Sequence, residues 1–305
     1  MAIWRRAPRL ALALALALLA VLPPASAASA VRAVSGFRFH IVTGDDSAQT
    51  RHIAEDLYRR LAPLAASFRT ELAQRRRLVY IAIGPVALRD AAGRHDGSVI
   101  IAAFTASQVV QAVAAKAPAG TISAVYAEPA PADQLRLIAQ LYGRAVTVAA
   151  VLGDDTLYVK PLLLATHSPI VIEQMTAADD INRILNRIAA ADVLLAMPDS
   201  AVYNTDTIRN ILLSTYRHKQ GVIGFSADMV KAGALATTYS EIEDIDTQVV
   251  EMARAFASTG TLPAPQFPRY FRTTINDGVA RSLDLDVSAA ARALARRAPA
   301  ASATP

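Results

Sequence analysis

The sequence predicts an α/β protein built as two lobes, each a parallel sheet covered by helices. Three observations lead there. Short apolar strands alternate with helical segments along nearly the whole chain, the pattern of strands buried on both faces. The stretch Val42-Thr43-Gly44-Asp45-Asp46-Ser47 returns as Val151-Leu152-Gly153-Asp154-Asp155-Thr156, each time after a strand and before a helix, so two series follow one plan. Once the first 30 residues are set aside, about 275 of the 305 remain, enough for two medium lobes rather than one oversized core.

Those first residues, 1–30, read as a cleavable secretory signal. Arg5, Arg6 and Arg9 form a basic start, Leu10 to Leu22 an apolar run too short to span a bilayer, and Pro23-Pro24 a break. Ala25-Ser26-Ala27 and Ala28-Ser29-Ala30 offer cleavage after Ala27 or Ala30. An uncleaved anchor is the alternative, disfavoured by the short span. The chain has no cysteine, which excludes disulfides, thiolate metal sites, cysteine nucleophiles and a lipid-modified N-terminal Cys. The mature chain is therefore expected free in the periplasm. Three of the charges behind the net +5 lie in the signal, so no nucleic-acid partner is implied. The run Arg75-Arg76-Arg77 suits a solvated helix C-terminus.

In the first series, strands are expected at Phe37 to Val42, Leu78 to Ile83, Ser98 to Phe104 and Thr121 to Ala127. A long helix runs from Ser47 to about Gln74, with Ile53, Leu57, Leu61 and Leu64 at helical spacing. A short helix follows Gly84-Pro85, and further helices cover Ala106 to Ala115 and Ala132 to Tyr142.

The second series opens with a strand at Ala145 to Leu152 and a helix from Thr156 to Thr166. A strand at Ile170 to Gln174 leads to a helix from Thr176 to Ile188, with a capping-box-like Thr176-x-x-Asp179. Val193 to Met197 is a strand that ends in the polar turn Pro198-Asp199-Ser200, and a helix runs from about Thr205 to Tyr216. Strands at Val222 to Phe225 and Leu235 to Tyr239 flank a short helix. A helix from Glu241 to Ala257 closes at Gly260. The Pro-rich link Leu262 to Pro268, a strand at Tyr270 to Ile275 and a helix capped by Asn276 complete the lobes. The expected division is 31–143 plus about 235–262 for the first lobe and 144–234 plus about 263–290 for the second, with 291–305 as a disordered tail.

Several of these residues carry a family resemblance. The strand ending in Pro198-Asp199, the turn Val230-Lys231-Ala232-Gly233-Ala234-Leu235, and Ile275-Asn276 before the last helix resemble ABC-transporter substrate-binding proteins of the tryptophan/tyrosine-binding type. The resemblance covers most of the mature chain. It implies two Rossmann-like lobes with parallel sheets in the type I periplasmic binding protein architecture, and a function in capturing a small polar organic or amino-acid-like solute between lobes for an ABC permease. Against that pattern the first lobe is reduced: a strand-helix unit before Leu78 is missing. The reduction motivates the alternative of a degenerate relative that serves as an envelope interaction or sensory partner, for an outer-membrane receptor or a sensor kinase.

In sheets of this kind ligands gather beyond the carboxyl ends of the strands. The candidate ligand residues are thus Thr43, Asp45, Gly84, Phe104 and Thr105 from the first lobe. Asp154, Thr156, Gln174, Asp199, Ser200, Phe225 and Ser226 come from the second. Asp199 either accepts a ligand amine or caps the following helix. Ser200 either donates to a ligand carboxylate or closes its turn, and Phe104 and Phe225 either sandwich a ligand or pack in the core. Asp45 and Asp154 fit N-capping as well as ligand contact. Tyr203 is read as interface packing, with a pocket lid as the alternative. No cofactor or metal is expected: the five histidines are scattered without a zinc spacing, and no nucleophile elbow or phosphate loop occurs. Catalysis is not expected either, because no converging roles can be assigned. The single tryptophan, Trp4, falls in the signal, which disfavours a sugar ligand.

Overall fold

The computed structural model describes residues 37–65, 78–166 and 168–299. The expected signal lies outside them, as does the Arg75-Arg76-Arg77 run.

Leu78-Val79-Tyr80-Ile81-Ala82-Ile83 shows why the first lobe is a covered sheet. From Val79 onward every residue of this strand is buried, so both faces need a layer of helices. The strands β1 (Arg38–Thr43), β2 (Leu78–Ile83), β3 (Val99–Thr105) and β4 (Ile122–Tyr126) lie side by side in chain order, all parallel. On one face α2 (Gly84–Ala92) and α3 (Ser107–Ala114) meet Tyr80, Ala82, Ile100 and Ala102. On the other, α1 (Ala48–Leu61) sets Ile53, Leu57 and Leu61 against Val79, Ile81 and Ile101. Each such fully buried side chain contributes about 1.5–3 kcal/mol. The α1 helix stops at Leu61 rather than near Gln74. Pro63 has no N–H to continue the ladder, and the chain tightens into a 3₁₀ turn at Ala62–Leu64. Residues 66–77 lie outside the described part.

The second lobe has a six-stranded sheet in the order β10-β9-β8-β7-β5-β6. Its parallel members are β5 (Val148–Leu152), β6 (Ile170–Gln174), β7 (Val193–Leu195), β8 (Gly221–Ile223) and β9 (Ala236–Tyr239). β10 (Arg272–Ile275) joins β9 antiparallel. One face carries α4 (Pro131–Tyr142) and α5 (Lys160–Leu164). The other carries α6 (Ile181–Arg187), α7 (Ile208–Arg217) and α8 (Ala227–Ala232). After β9 the chain returns to the first sheet as α9 (Ile242–Thr259), whose Ile245, Val249 and Phe256 share the core of α1. Gly260 ends it in the left-handed conformation, φ 72°. Then α10 (Asp277–Ser282) and α11 (Ala289–Ala293) close over the second sheet through Ala280 and Ala291.

The lobe boundaries differ from those expected. α4, expected in the first lobe, packs its Leu137, Ile138 and Leu141 on Val148 and Ala150 of the second. The first crossing is therefore the Pro-containing stretch 127–130. β9 also belongs to the second sheet, so the return begins with α9 and not with the strand at Leu235. The expected disordered tail is structured at its start: Ala291 is buried, and Phe271 and Arg296 exchange backbone hydrogen bonds of 2.8 and 2.9 Å. The third crossing is the Pro-rich link. Gln266 accepts from Tyr126 N and donates to Ala124 O, both at 2.9 Å, which covers the edge of β4.

Candidate functional site

Strand order decides where a crevice can open. In the second sheet β5 connects to β6 on one side, and the chain then steps back past β5 to β7 on the other. The reversal lies between β5 and β7, the place where doubly wound sheets bind ligands. Among the described residues the first sheet runs in sequence, without a reversal.

Asp199 fills the crevice of the second lobe. It is buried, and its Oδ2 accepts from Gly153 N at 3.0 Å and Thr156 Oγ1 at 2.8 Å, while Oδ1 accepts from Ala201 N at 3.0 Å and Val202 N at 3.2 Å. Four donors use up the capacity of a carboxylate. Of the two roles expected of Asp199, the structure shows local capping through Ala201 N and Val202 N and not a free acceptor for a ligand amine, and the group also braces the turn after β5 against the turn after β7. Thr156 is drawn into the same brace and is fully buried. Beside it Ser200 Oγ donates to Asp155 Oδ2 at 2.6 Å, on the surface.

Gly44 and Gly153, the glycines shared by the two related turns, are both required by close approach. A Cβ on Gly44 would stand 2.7 Å from Val86 Cβ at the start of α2, and one on Gly153 would stand 2.5 Å from Asp199 Oδ1. In the first turn Asp45 Oδ1 accepts from Ser47 N at 2.8 Å, and this backbone hydrogen bond holds its carboxyl below the usual range. Ser47 in turn caps α1 by accepting from Thr50 N at 3.1 Å.

Open volume lies elsewhere, on the flank of the first lobe. A cavity of about 700 Å³ runs between α2 and α3. Its apolar lining comes from Ala91 and Ala92 at the end of α2, Ile100 and Ile122 at the starts of β3 and β4, and Val109 and Val113 on α3. Alanine where larger residues would meet leaves the space unfilled. Gln108, one residue into α3, lines one end, where Asp155 and Ser200 of the second lobe complete the wall. Arg89, Asp96 and Lys116 belong to the rim.

The same end holds the lobes together. Tyr158, in the turn before α5, donates its hydroxyl to Ser107 Oγ. Ser107 N donates to both oxygens of Glu128 at 3.1 Å, so a buried carboxylate sits at the N-terminus of α3. Burial pushes the Glu128 carboxyl up, partly offset by the hydrogen bonds from Ser107. Glu128 lies in the first crossing, and the Tyr158–Ser107–Glu128 chain therefore ties the second lobe, the first lobe and their connection in one place.

Solved structures share this architecture at low identity. An ABC domain in complex with L-Trp from Streptococcus pneumonia matches with a TM-score of 0.52 and 14% identity, over 84% of this chain and 99% of that one. A conserved domain protein from Vibrio cholerae O1 biovar El Tor gives 0.54 and 16%, over 85% and 98%. The ligand-free, open form of a substrate-binding protein with adhesive properties from Clostridium difficile gives 0.57 and 13%, over 84% and 97%. The chain has the type I periplasmic binding protein fold. No protein-family model and no curated protein sequence matches it.

Within this type I binding-protein fold, one of the twelve expected ligand residues, Ser200, lines the cavity. Thr43, Asp154 and Gln174 are exposed at their strand ends. Gly84 takes φ +86° to start α2, and Ser226 caps α8 by accepting from Met229 N at 3.3 Å. Thr105 is corrected to an internal role: it is buried and donates to Ala103 O at 3.2 Å, where β3 shifts register against β4. Of the two roles open to Phe104 and Phe225, the structure shows core packing. Phe104 packs on the α1–α9 core, and Phe225 meets Tyr203 edge-on at 5.8 Å in the core beneath α6–α8. That contact also gives Tyr203 a packing role. Among the described residues no cluster of His, Asp and Glu is placed to hold a metal, and no helix is long and apolar enough to cross a membrane. Glu128 and Tyr158 of the lobe tie and Gln108 of the cavity wall are not among the expected site residues. An acidic residue ending an apolar strand before Pro129 was the available signal for the first of them.

Proposed function

We propose that the chain is an exported, non-enzymatic solute-binding protein that captures a small organic molecule and delivers it to an ABC permease. The observation that carries this reading is the 700 Å³ cavity, a volume suited to a small organic molecule, whose wall is made mainly by one lobe and completed by Asp155 and Ser200 of the other. An occupant at that end touches both lobes and favours the arrangement in which they meet. Solved structures of this fold described as an L-Trp complex and as a substrate-binding protein support the reading. The signal-like residues 1–30 support a periplasmic destination. Thermal denaturation of the dialysed protein against a panel of amino acids, organic acids and sugars tests it, because a ligand selective for the folded state raises the melting temperature. A panel without a single stabilising solute overturns it.

One observation favours the second reading, an envelope interaction or sensory partner. The Asp199 brace occupies the strand-order reversal, the place a ligand would ordinarily enter. Cross-linking in the envelope that yields a receptor or sensor kinase but no permease, from a protein that binds no solute, would decide for it.

A further inference from the structure

On the receptor reading the cavity beside α3 is the ligand site, and with that premise its lining narrows the class of solute. Its charged groups are not equally occupied. Asp96 is committed: Oδ2 accepts from Tyr80 Oη at 2.8 Å and Oδ1 from Ser98 N at 3.0 Å. Asp155 accepts from Ser200. Arg89 and Lys116 form no ion pair among the described residues, and both are exposed at the rim. At the other end Gln108 Oε1 is a buried acceptor without a partner. An acceptor of this kind favours an occupant that brings it a donor. Between the ends the lining is apolar, from Ile100, Val109, Val113 and Ile122. Gln108 and Lys116 are separated by the length of α3, about 12 Å at the helical rise per residue.

We propose that this cavity binds an elongated amphipathic organic anion. Its hydrogen-bond donor faces Gln108, its flat apolar body lies between α2 and α3, and its acid group reaches the Arg89 and Lys116 end. The site runs along the flank of the first lobe, from Gln108, Asp155 and Ser200 beside the lobe contact to the amino ends of β3 and β4, and Asp199, which closes the β5–β7 reversal, is not part of its wall. At the rim the two unpaired cations, Arg89 and Lys116, outnumber the single carboxylate of Asp96 and disfavour an amine there, and the apolar middle disfavours a sugar.

The probe is 6-hydroxy-2-naphthoate, which carries a donor and a carboxylate at opposite ends of a rigid apolar plate. Its methyl ester removes the charge, and 2-naphthoate removes the donor. Calorimetric titration of the full mature chain is expected to give binding of the hydroxy acid, at least tenfold weaker binding of the ester, and severalfold weaker binding of 2-naphthoate. The double variant R89Q/K116Q, two exposed positions that leave the core untouched, removes the acid–ester difference. Gln108→Leu removes the preference for the hydroxyl, and Ala92→Phe, checked for an intact near-ultraviolet circular dichroism spectrum, blocks all three probes. Equal binding of acid and ester, or binding unaltered in both R89Q/K116Q and Ala92→Phe, overturns the assignment to an anion in this cavity. Failure of all three probes overturns it as well. The receptor reading fails separately, when the broad solute panel, which is independent of ligand charge, contains no stabilising molecule.

Discussion

The carboxylate of Asp199 occupies the space that a side chain on Gly153 would need, with Oδ1 at 2.5 Å from the position of that missing Cβ. The pair locks the end of β5 to the end of β7. The lock sits at the strand-order reversal. Gly153→Ala is expected to push the carboxylate out of register. Asp199→Ala leaves four donors in or beside the turns unpaired and is expected to cost about 3–5 kcal/mol. Urea unfolding checks both, and a change below about 1 kcal/mol for Asp199→Ala would contradict the brace.

A second prediction concerns pH. Asp246 on α9 is fully buried, and neither carboxylate oxygen has a hydrogen-bond partner. Burial first, then the neighbouring Asp56 on α1, pushes its pKa up from 3.8 to about 8, with Arg60 acting the other way and Glu243 adding to the rise. The folded protein holds the proton that the unfolded chain has already released between those values. The contribution of Asp246 to stability is therefore most favourable at and below about pH 4 and falls away as pH rises toward 8. Asp246→Asn stays neutral throughout and is expected to flatten that fall, with a gain at pH 8 on the order of a few kcal/mol. Chemical denaturation of both proteins at pH 5 and pH 8 checks it, and identical pH profiles would contradict it.

A third prediction concerns the tie between the lobes. Tyr158→Phe removes the hydroxyl that reaches Ser107 and leaves the Glu128–Ser107 backbone contact in place. The expected loss is about 0.5–1.5 kcal/mol, all of it from the closed arrangement. Small-angle scattering of the ligand-free variant should show a larger radius of gyration than the parent. An unchanged radius together with unchanged stability would mean that the contact holds nothing.

Much of the fold is legible in the chain. Val79 to Ile83 can only be a strand buried on both faces, Gly260 ends α9, and Asn276 caps α10 by accepting from Gly278 N and Val279 N at 3.1 Å. These are local effects, and local spacing reports them. Thr176 and Asp179 show the limit: the expected bond forms, Thr176 N to Asp179 Oδ2 at 2.8 Å, yet the helix begins later, at Ile181 under an Asp180 cap. Asp199 is visible as a polar group at a strand end, but half of its partners come from a turn 43 to 46 residues away. The cavity is less legible still. It depends on how far α2 and α3 stand apart, and alanines on two separate helices do not reveal which of them face each other.

Hydrogen–deuterium exchange with and without a stabilising solute tests the central claim most directly. Slower exchange is expected at 91–98 and 108–118, around the cavity, together with 153–156 in the facing turn of the second lobe. Slowing confined to the carboxyl ends of the second-sheet strands, with no change around α2 and α3, would contradict it.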